Sequence, residues 1–424
     1  MRRLDSGSES ATISDMGTLP EIMLPAALRE RLAQGHPWVY RTHIPRDVRL
    51  PSGSWARIRC GGWSGFGVWD AAGPIALRIY STQHLPDMAW LRRRVNAAWD
   101  LRAPLRSAGI TAYRWLFGEG DGLPGITVDR YGDIAVLQAY SAGTLTLAGD
   151  VADALIMVDP ALQGVMLRRS SRGRAVLDDS LEDEAPLHPP RNEPRLRHLR
   201  GEPPPPEIVV VEHGLRFAVD LHAAQKTGLF LDQRENRQFV ETVADGRSVL
   251  NCFAYTGGFS LYALRGGARQ VISVDSGKGL AAATARNIAL SRLDRARHQF
   301  ETVDCFELLE QYVAEGRSFD LVILDPPGFA RRKESRYAAQ RAYARLNTLG
   351  MRCVAPGGLL ATASCTSQVG PEAFREALAV AGAQAGRRLQ IIHEAGQPLD
   401  HPVPAGFPEG RYLKFVVGRV EEPA

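Results

Sequence analysis

The chain has 424 residues, 45% hydrophobic and 23% charged, with a formal net charge of +4. That length and balance predict two or three domains with real cores and exclude a disordered or collagen-like chain. No apolar run approaches the ~20 residues of a membrane-spanning helix, so no membrane partner is expected, and the mild positive charge permits a polyanionic partner without requiring one.

The opening "MRRLDSGSESATISDMGTLP" starts positive, but the apolar segment of a secretory signal does not follow. Residues 1–19 read as a disordered tail. The five cysteines (Cys60, Cys252, Cys305, Cys353 and Cys365) are odd in number and lack CxxC or Cys/His spacing. Neither a disulfide framework nor a metal site is expected, and the expected compartment is a reducing cytoplasm.

Across residues 20–87, short apolar runs broken by Gly and Pro ("GSWARIRC", "GFGVWD", "PIALRIYS") have the rhythm of a small β-barrel. Residues 88–178 mix patterns: "MAWLRRRVNAAWDLRAPL" has helical spacing, and "ITVDRYGDIAVLQAY" reads as two strands around a turn. This is a central α/β domain. Residues 179–207 are charged and Pro-rich without periodicity and read as a linker or surface insertion. From 208 to 424, "IVVVEHGLRFAVDL" reads as a hairpin turning at His213–Gly214. Strand-like segments ("SVLNCF", "QVISVDS", "FDLVILD", "GGLLATAS") then alternate with helices such as "GLAAATARNIALSRL". The alternation predicts a mainly parallel, Rossmann-like sheet, with "QIIHEAG" and "RYLKFVV" as partly antiparallel final strands.

In "VLNCFAYTGGFSLYALRGGARQVISVDS" an apolar strand ends in a glycine turn, a helix follows, and a second strand ends at Asp275. Glycine admits close backbone approach to a ligand, and an acid closing the second strand can accept both ribose hydroxyls. The GxGxxG and GxxxxGK[ST] spacings are absent, so an adenosine cofactor without phosphate, S-adenosylmethionine, fits best. The expected cofactor residues are Phe253, Tyr255, Thr256, Gly257, Gly258 and Asp275, with Asn287 on the following helix and Asp304 after the next strand. Asp304 also reads as a helix N-cap before "FELLEQY".

In "FDLVILDPPGFARRKE" an apolar strand ends at Asp325, and two prolines stiffen the turn. An acid on such a ledge can hold the polar edge of a planar base or the cofactor. "LLATASCTS" brings Cys365 to the end of another apolar run. It reads either as a small buried hydrophobe or as a nucleophile at a strand end. "RRKESRYAAQRAYARLN" carries six basic residues and two tyrosines. Arg331, Arg332 and Lys333 suit a phosphate backbone, and Phe329 suits stacking on an unstacked base.

Together, "GHPWVYRTHI", "QKTGLFLDQRENR", "NCFAYTGGFSLYA", "DPPGFARRK" and "SCTS" resemble the bacterial ribosomal RNA large-subunit cytosine-C5 methyltransferases over nearly the whole chain. The resemblance implies a PUA-like RNA-binding barrel, a central α/β domain and a class I S-adenosylmethionine-dependent methyltransferase domain. It makes Cys365 the nucleophile, with Asp325 at the target base. It also implies that Lys226, Thr227, Asp232 and Arg234 cover the cofactor, and that the partner is ribosomal RNA. The acidic, Pro-rich insertion and the long N-terminal tail depart from the family. Two other readings stay open: methylation of a base amino group, which needs no thiol, and a non-catalytic RNA-binding assembly factor. A homodimer is the default assembly.

Overall fold

The structure is a computed structural model and describes residues 19–168, 196–222, 228–329 and 335–422. Lys226, Thr227, Arg331, Arg332, Lys333 and the expected tail up to residue 18 lie outside the described residues.

The first unit holds strands β1 (Glu21–Met23), β2 (Trp38–Tyr40), β3 (Trp55–Cys60), β4 (Trp63–Trp69) and β5 (Ile75–Ser81), with helix α1 (Arg29–Ala33) before β2. They form one sheet in the order β1-β3-β4-β5-β2. In β3, Ala56, Ile58 and Cys60 are buried while Arg57 and Arg59 face solvent, as the two-residue side-chain period requires.

The second unit begins with α2 (Met88–Leu101), started by Asp87, whose carboxylate accepts from Trp90 N at 2.6 Å. It continues through α3 (Ala103–Ser107), β6 (Ala112–Phe117), β7 (Ile126–Tyr131), β8 (Ile134–Ala139), α4 (Ala142–Leu145), α5 (Ala148–Val158) and β9 (Gly164–Arg168). Residues 196–201 correct the expected linker. They form β10 (Leu196–Gly201), which pairs antiparallel with β9 at the edge of the sheet β10-β9-β8-β7-β6. Its "LRHLRG" buries little more than Leu196, and such a charged edge strand has no apolar period to reveal it.

The third unit opens with the expected hairpin, β11 (Ile208–Glu212) and β12 (Leu215–Val219). It turns at His213 (φ 48°) and Gly214 (φ 83°). Helix α6 (Arg234–Thr242) leads into β13 (Ser248–Cys252), α7 (Gly258–Arg265), β14 (Gln270–Val274), α8 (Leu280–Leu290), β15 (His298–Glu301) and α9 (Cys305–Ala314). Then come β16 (Phe319–Leu324), α10 (Arg336–Arg352), β17 (Val354–Ser364), α11 (Pro371–Ala385), β18 (Arg388–Ala395) and β19 (Lys414–Glu421). The seven strands order as β15-β14-β13-β16-β17-β19-β18, with β19 antiparallel to both neighbours. Val249, Val271, Leu321 and Leu359 pack with residues of α6 to α8. Leu250, Ile272, Val322 and Leu360 pack with residues of α9 to α11. Both faces are covered, which is why these strands read as continuous apolar runs.

The loop between β18 and β19 ties the units together. Asp400, fully buried, accepts from both terminal nitrogens of Arg234 at 3.0 and 2.9 Å and from the backbone N of Arg114 on β6 at 2.9 Å. Its carbonyl accepts from Arg102 at 2.8 Å, and Arg102 also forks onto Asp121 at 2.6 and 2.7 Å. Farther along the loop, Phe407 packs edge-on against Trp38 at 4.6 Å, and Glu409 accepts from Arg31 at 2.7 Å. Burial would raise the Asp400 carboxyl, but His401 and Arg234 outweigh that and hold it well below the usual carboxylate range. Replacing Asp400 with Ala strands a buried guanidinium. We expect Asp400→Ala to lose about 3–5 kcal/mol of stability in chemical denaturation; a loss under 1 kcal/mol would show that water or Glu235 takes over the charge.

Candidate active site

Every candidate catalytic or cofactor acid except Asp232 follows the carboxyl end of a parallel strand. Asp275 follows β14, Asp304 precedes α9 after β15, Asp325 follows β16, and Cys365 follows β17. The sheet runs outward from β13 to β15 in one direction and through β16 and β17 in the other. The crevice therefore lies at the switch between β13 and β16, the usual ligand position in open α/β sheets.

A cleft of about 390 Å³ opens there, lined by Phe230, Phe253, Tyr255, Thr256, Gly258 and Asp325 among others. Its floor is the loop after β13. Phe253 (φ 60°) and Tyr255 (φ 49°) hold left-handed backbone that side chains disfavour, strain of the kind that collects at ligand sites. Gly257 (φ 80°) caps α7, and a Cβ there would sit 2.4 Å from Thr284. Asp275 accepts from Tyr255 N and Gly277 N, both at 2.9 Å, so its half-buried carboxylate is oriented by the loop it serves. Phe230 meets Tyr255 edge-on at 5.2 Å. Apolar rings, an oriented acid and a glycine-opened loop fit the adenosine and ribose of S-adenosylmethionine. Asp275 would hold the ribose and the rings would hold the base.

Other expected cofactor residues have different surroundings. Asn287 is fully buried; its amide donates to Thr256 O at 3.0 Å and accepts from Ala218 N at 2.8 Å, so it braces the loop from behind. Asp304 caps α9, accepting from Phe306 N at 2.8 Å and Glu307 N at 3.2 Å, and is exposed. Asp232 is buried and accepts from the Tyr412 hydroxyl at 2.7 Å, and Arg234 is spent on Asp400. These last two hold the interior together.

Cys365 reaches the ledge that Asp325 begins. β16 and β17 are parallel neighbours, and Cys365 Sγ lies 3.9 Å from the carbonyl of Pro326, next to Asp325. Cys365 is half-buried, whereas the other four cysteines are buried. Gln233, which the sequence reading did not single out, donates to Asp325 Oδ1 at 2.8 Å and accepts from Asn236 at 2.6 Å. Phe329 stands at the same ledge in a row of rings, 6.2 Å from Phe306 and 4.8 Å from Tyr343. Lys414, at the start of β19, donates to the carbonyls of Thr366 and Tyr412. No periodicity marks Gln233, Phe306 or Lys414; only the register of neighbouring strands and helix starts brings them in.

Comparison with known proteins is consistent with this geometry. Residues 187–402 match the S-adenosylmethionine-dependent methyltransferase family, and residues 22–82 match a PUA-like domain. A protein named ribosomal RNA large subunit methyltransferase I from Erwinia tasmaniensis is 37% identical over 94% of this chain and 99% of its own length. Namesakes from Aeromonas salmonicida (35%, covering 94% and 98%) and Salmonella enteritidis (34%, covering 96% and 100%) are similar. Among solved structures, a candidate methyltransferase complexed with SAH has a TM-score of 0.81 at 22% identity, covering 95% of this chain and all of that one. A candidate SAM-dependent methyltransferase from Streptococcus mutans gives 0.79 at 20%, with the same coverage.

Asp275→Ala removes the oriented acid and is expected to weaken S-adenosylmethionine binding by about 1–3 kcal/mol in calorimetry. Gln233→Ala removes one hydrogen-bond partner that orients Asp325 and is expected to lower kcat more than it raises the cofactor Kd. Unchanged cofactor affinity in Asp275→Ala would remove that residue from the site.

Proposed function

The chain belongs to the family of ribosomal RNA large subunit methyltransferases I, and from that premise we propose that it forms 5-methylcytidine in large-subunit ribosomal RNA through a covalent adduct on Cys365. The observation that carries the proposal is the meeting of the half-buried Cys365 with the Asp325 ledge beside the cofactor cleft.

C5 of cytosine is a weak nucleophile. A thiolate adding to C6 gives C5 enamine character, and S-adenosylmethionine supplies the methyl group that C5 takes. Loss of the C5 proton then restores the 5,6 double bond and expels the thiolate. Cys365 supplies the sulfur, and its strand-end position presents it to a base entering over the ledge. Asp325, oriented by Gln233, faces the ring edge and holds N3 as charge develops there. Phe329 offers a face for stacking. A ribosomal RNA substrate supports a cytoplasmic location. Among the described residues no helix is long and apolar enough to cross a membrane.

Cys365→Ala is expected to abolish methyl transfer while cofactor binding and folding persist. RNA carrying 5-fluorocytidine at the target is expected to trap the wild-type protein, because fluorine cannot leave as the proton does. Full methylation by Cys365→Ala would redirect the reading to an exocyclic amino group.

The N-terminal sheet is read as the RNA-docking unit. Arg57 lies exposed on β3 with its guanidinium 5.3 Å from the Phe66 ring centre. If it meets a phosphate, Arg57→Ala should weaken RNA binding uniformly across sequences and lower the slope of log affinity against log salt by about one, with cofactor affinity unchanged. An identical salt slope would leave that face without a phosphate contact.

A further inference from the structure

We propose that Lys414 is the positioning residue that holds the Cys365 thiol ready to ionise. The inference rests on reading Cys365 as the nucleophile.

Lys414 opens β19 directly opposite Ser364, the last residue of β17. Its side chain is buried, and its Nζ donates to the carbonyl of Thr366, the residue after Cys365, and to the carbonyl of Tyr412 at 2.8 Å. Among the described residues no carboxylate pairs with it. A buried ammonium without an anion is costly, and a methionine would fill the same space without that cost. The anion within its reach is the thiolate of Cys365, which packs against Tyr412 and Leu413, the two residues before Lys414.

Among the described residues, the other titratable groups around the thiol do not supply this charge. Tyr343, from α10, and Tyr412 are both kept protonated by burial. Asp325, just after β16, is an acid and contributes no positive charge. Arg411 is exposed, next to Tyr412. Burial pushes the Lys414 ammonium down to about 8; the Cys365 thiol opposes that fall and Arg411 adds to it. Lys414 therefore keeps its proton at neutral pH, and the thiol proton passes to solvent, leaving S⁻ beside NH₃⁺. The same side chain fixes the backbone at Thr366, so it orients the sulfur as well as stabilising its charge.

The test is the pH dependence of Cys365 alkylation by iodoacetamide in the full chain, read by peptide mass spectrometry. The other cysteines are buried, and Cys365→Ala provides the blank. The wild-type midpoint is expected at least one unit below the ~8.5 of a free thiol. In Lys414→Met the midpoint should rise by one unit or more, and methyl transfer at pH 7 should fall about tenfold and recover as the pH is raised. A structural role alone would change the plateau rate but not the midpoint. A wild-type midpoint at or above 8.5 overturns the proposal whether or not Lys414→Met folds, and so do coincident midpoints in the two proteins. Alkylation needs no RNA. A missing 5-fluorocytidine adduct alongside a shifted midpoint would therefore refute the nucleophile reading and leave the Lys414–Cys365 pairing established.

Discussion

The buried pair of Arg234 and Asp400 is the constraint on which the rest of the structure depends. Neither residue is solvent-exposed, and neither charge is tolerable alone in that interior. Asp400 belongs to the loop before the last strand, Arg234 to the helix before the first strand of the catalytic sheet, and Arg114 to the central sheet. One carboxylate thus fixes the catalytic sheet against the unit that precedes it. The same loop reaches the N-terminal sheet through Phe407 and Glu409. A hydrophobic contact could have held these parts together, but a bidentate pair also specifies their angle.

That geometry carries into the site. The loop that carries Asp400 ends just before Lys414 opens β19, so the segment that joins the domains also lies against Cys365. Tyr412 bonds Asp232, which precedes Gln233, which in turn orients Asp325. Residues buried away from the cleft therefore set where Asp325 and Cys365 stand. Gly406 and Gly120 allow this close approach: a Cβ on Gly406 would lie 2.1 Å from Gln34 O, and one on Gly120 2.0 Å from Pro402 O.

The sequence discloses some of this and hides the rest for physical reasons. The catalytic sheet was legible because strands buried on both faces are continuous apolar runs, and Asp275, Asp325 and Cys365 each punctuate one. The hairpin at His213–Gly214 was legible from its turn. β10 was not, because an edge strand rich in arginine has no apolar alternation. Asp232 and Arg234 were assigned to the cofactor by the family resemblance of "QKTGLFLDQRENR". Their partners, Tyr412 and Asp400, lie more than 160 residues away, and nothing local announces them. Asn287 reaches the loop only through the backbone of Thr256. Gln233 and Lys414 act through partners in distant segments, which a linear reading cannot pair.

The order of strands in the catalytic sheet has a consequence for biosynthesis. β18 is made before β19 yet, among the described residues, pairs with no other strand, since β19 inserts between β17 and β18. As the chain leaves the ribosome, β17 remains an open edge and β18 has no hydrogen-bonding partner until the residues of β19 emerge. Lys414 and the Asp400 loop arrive in the same late stretch. A nascent chain halted before residue 414 would therefore hold Cys365 against Pro326 on its β16 side, while the side that β19 and Lys414 cover stays open.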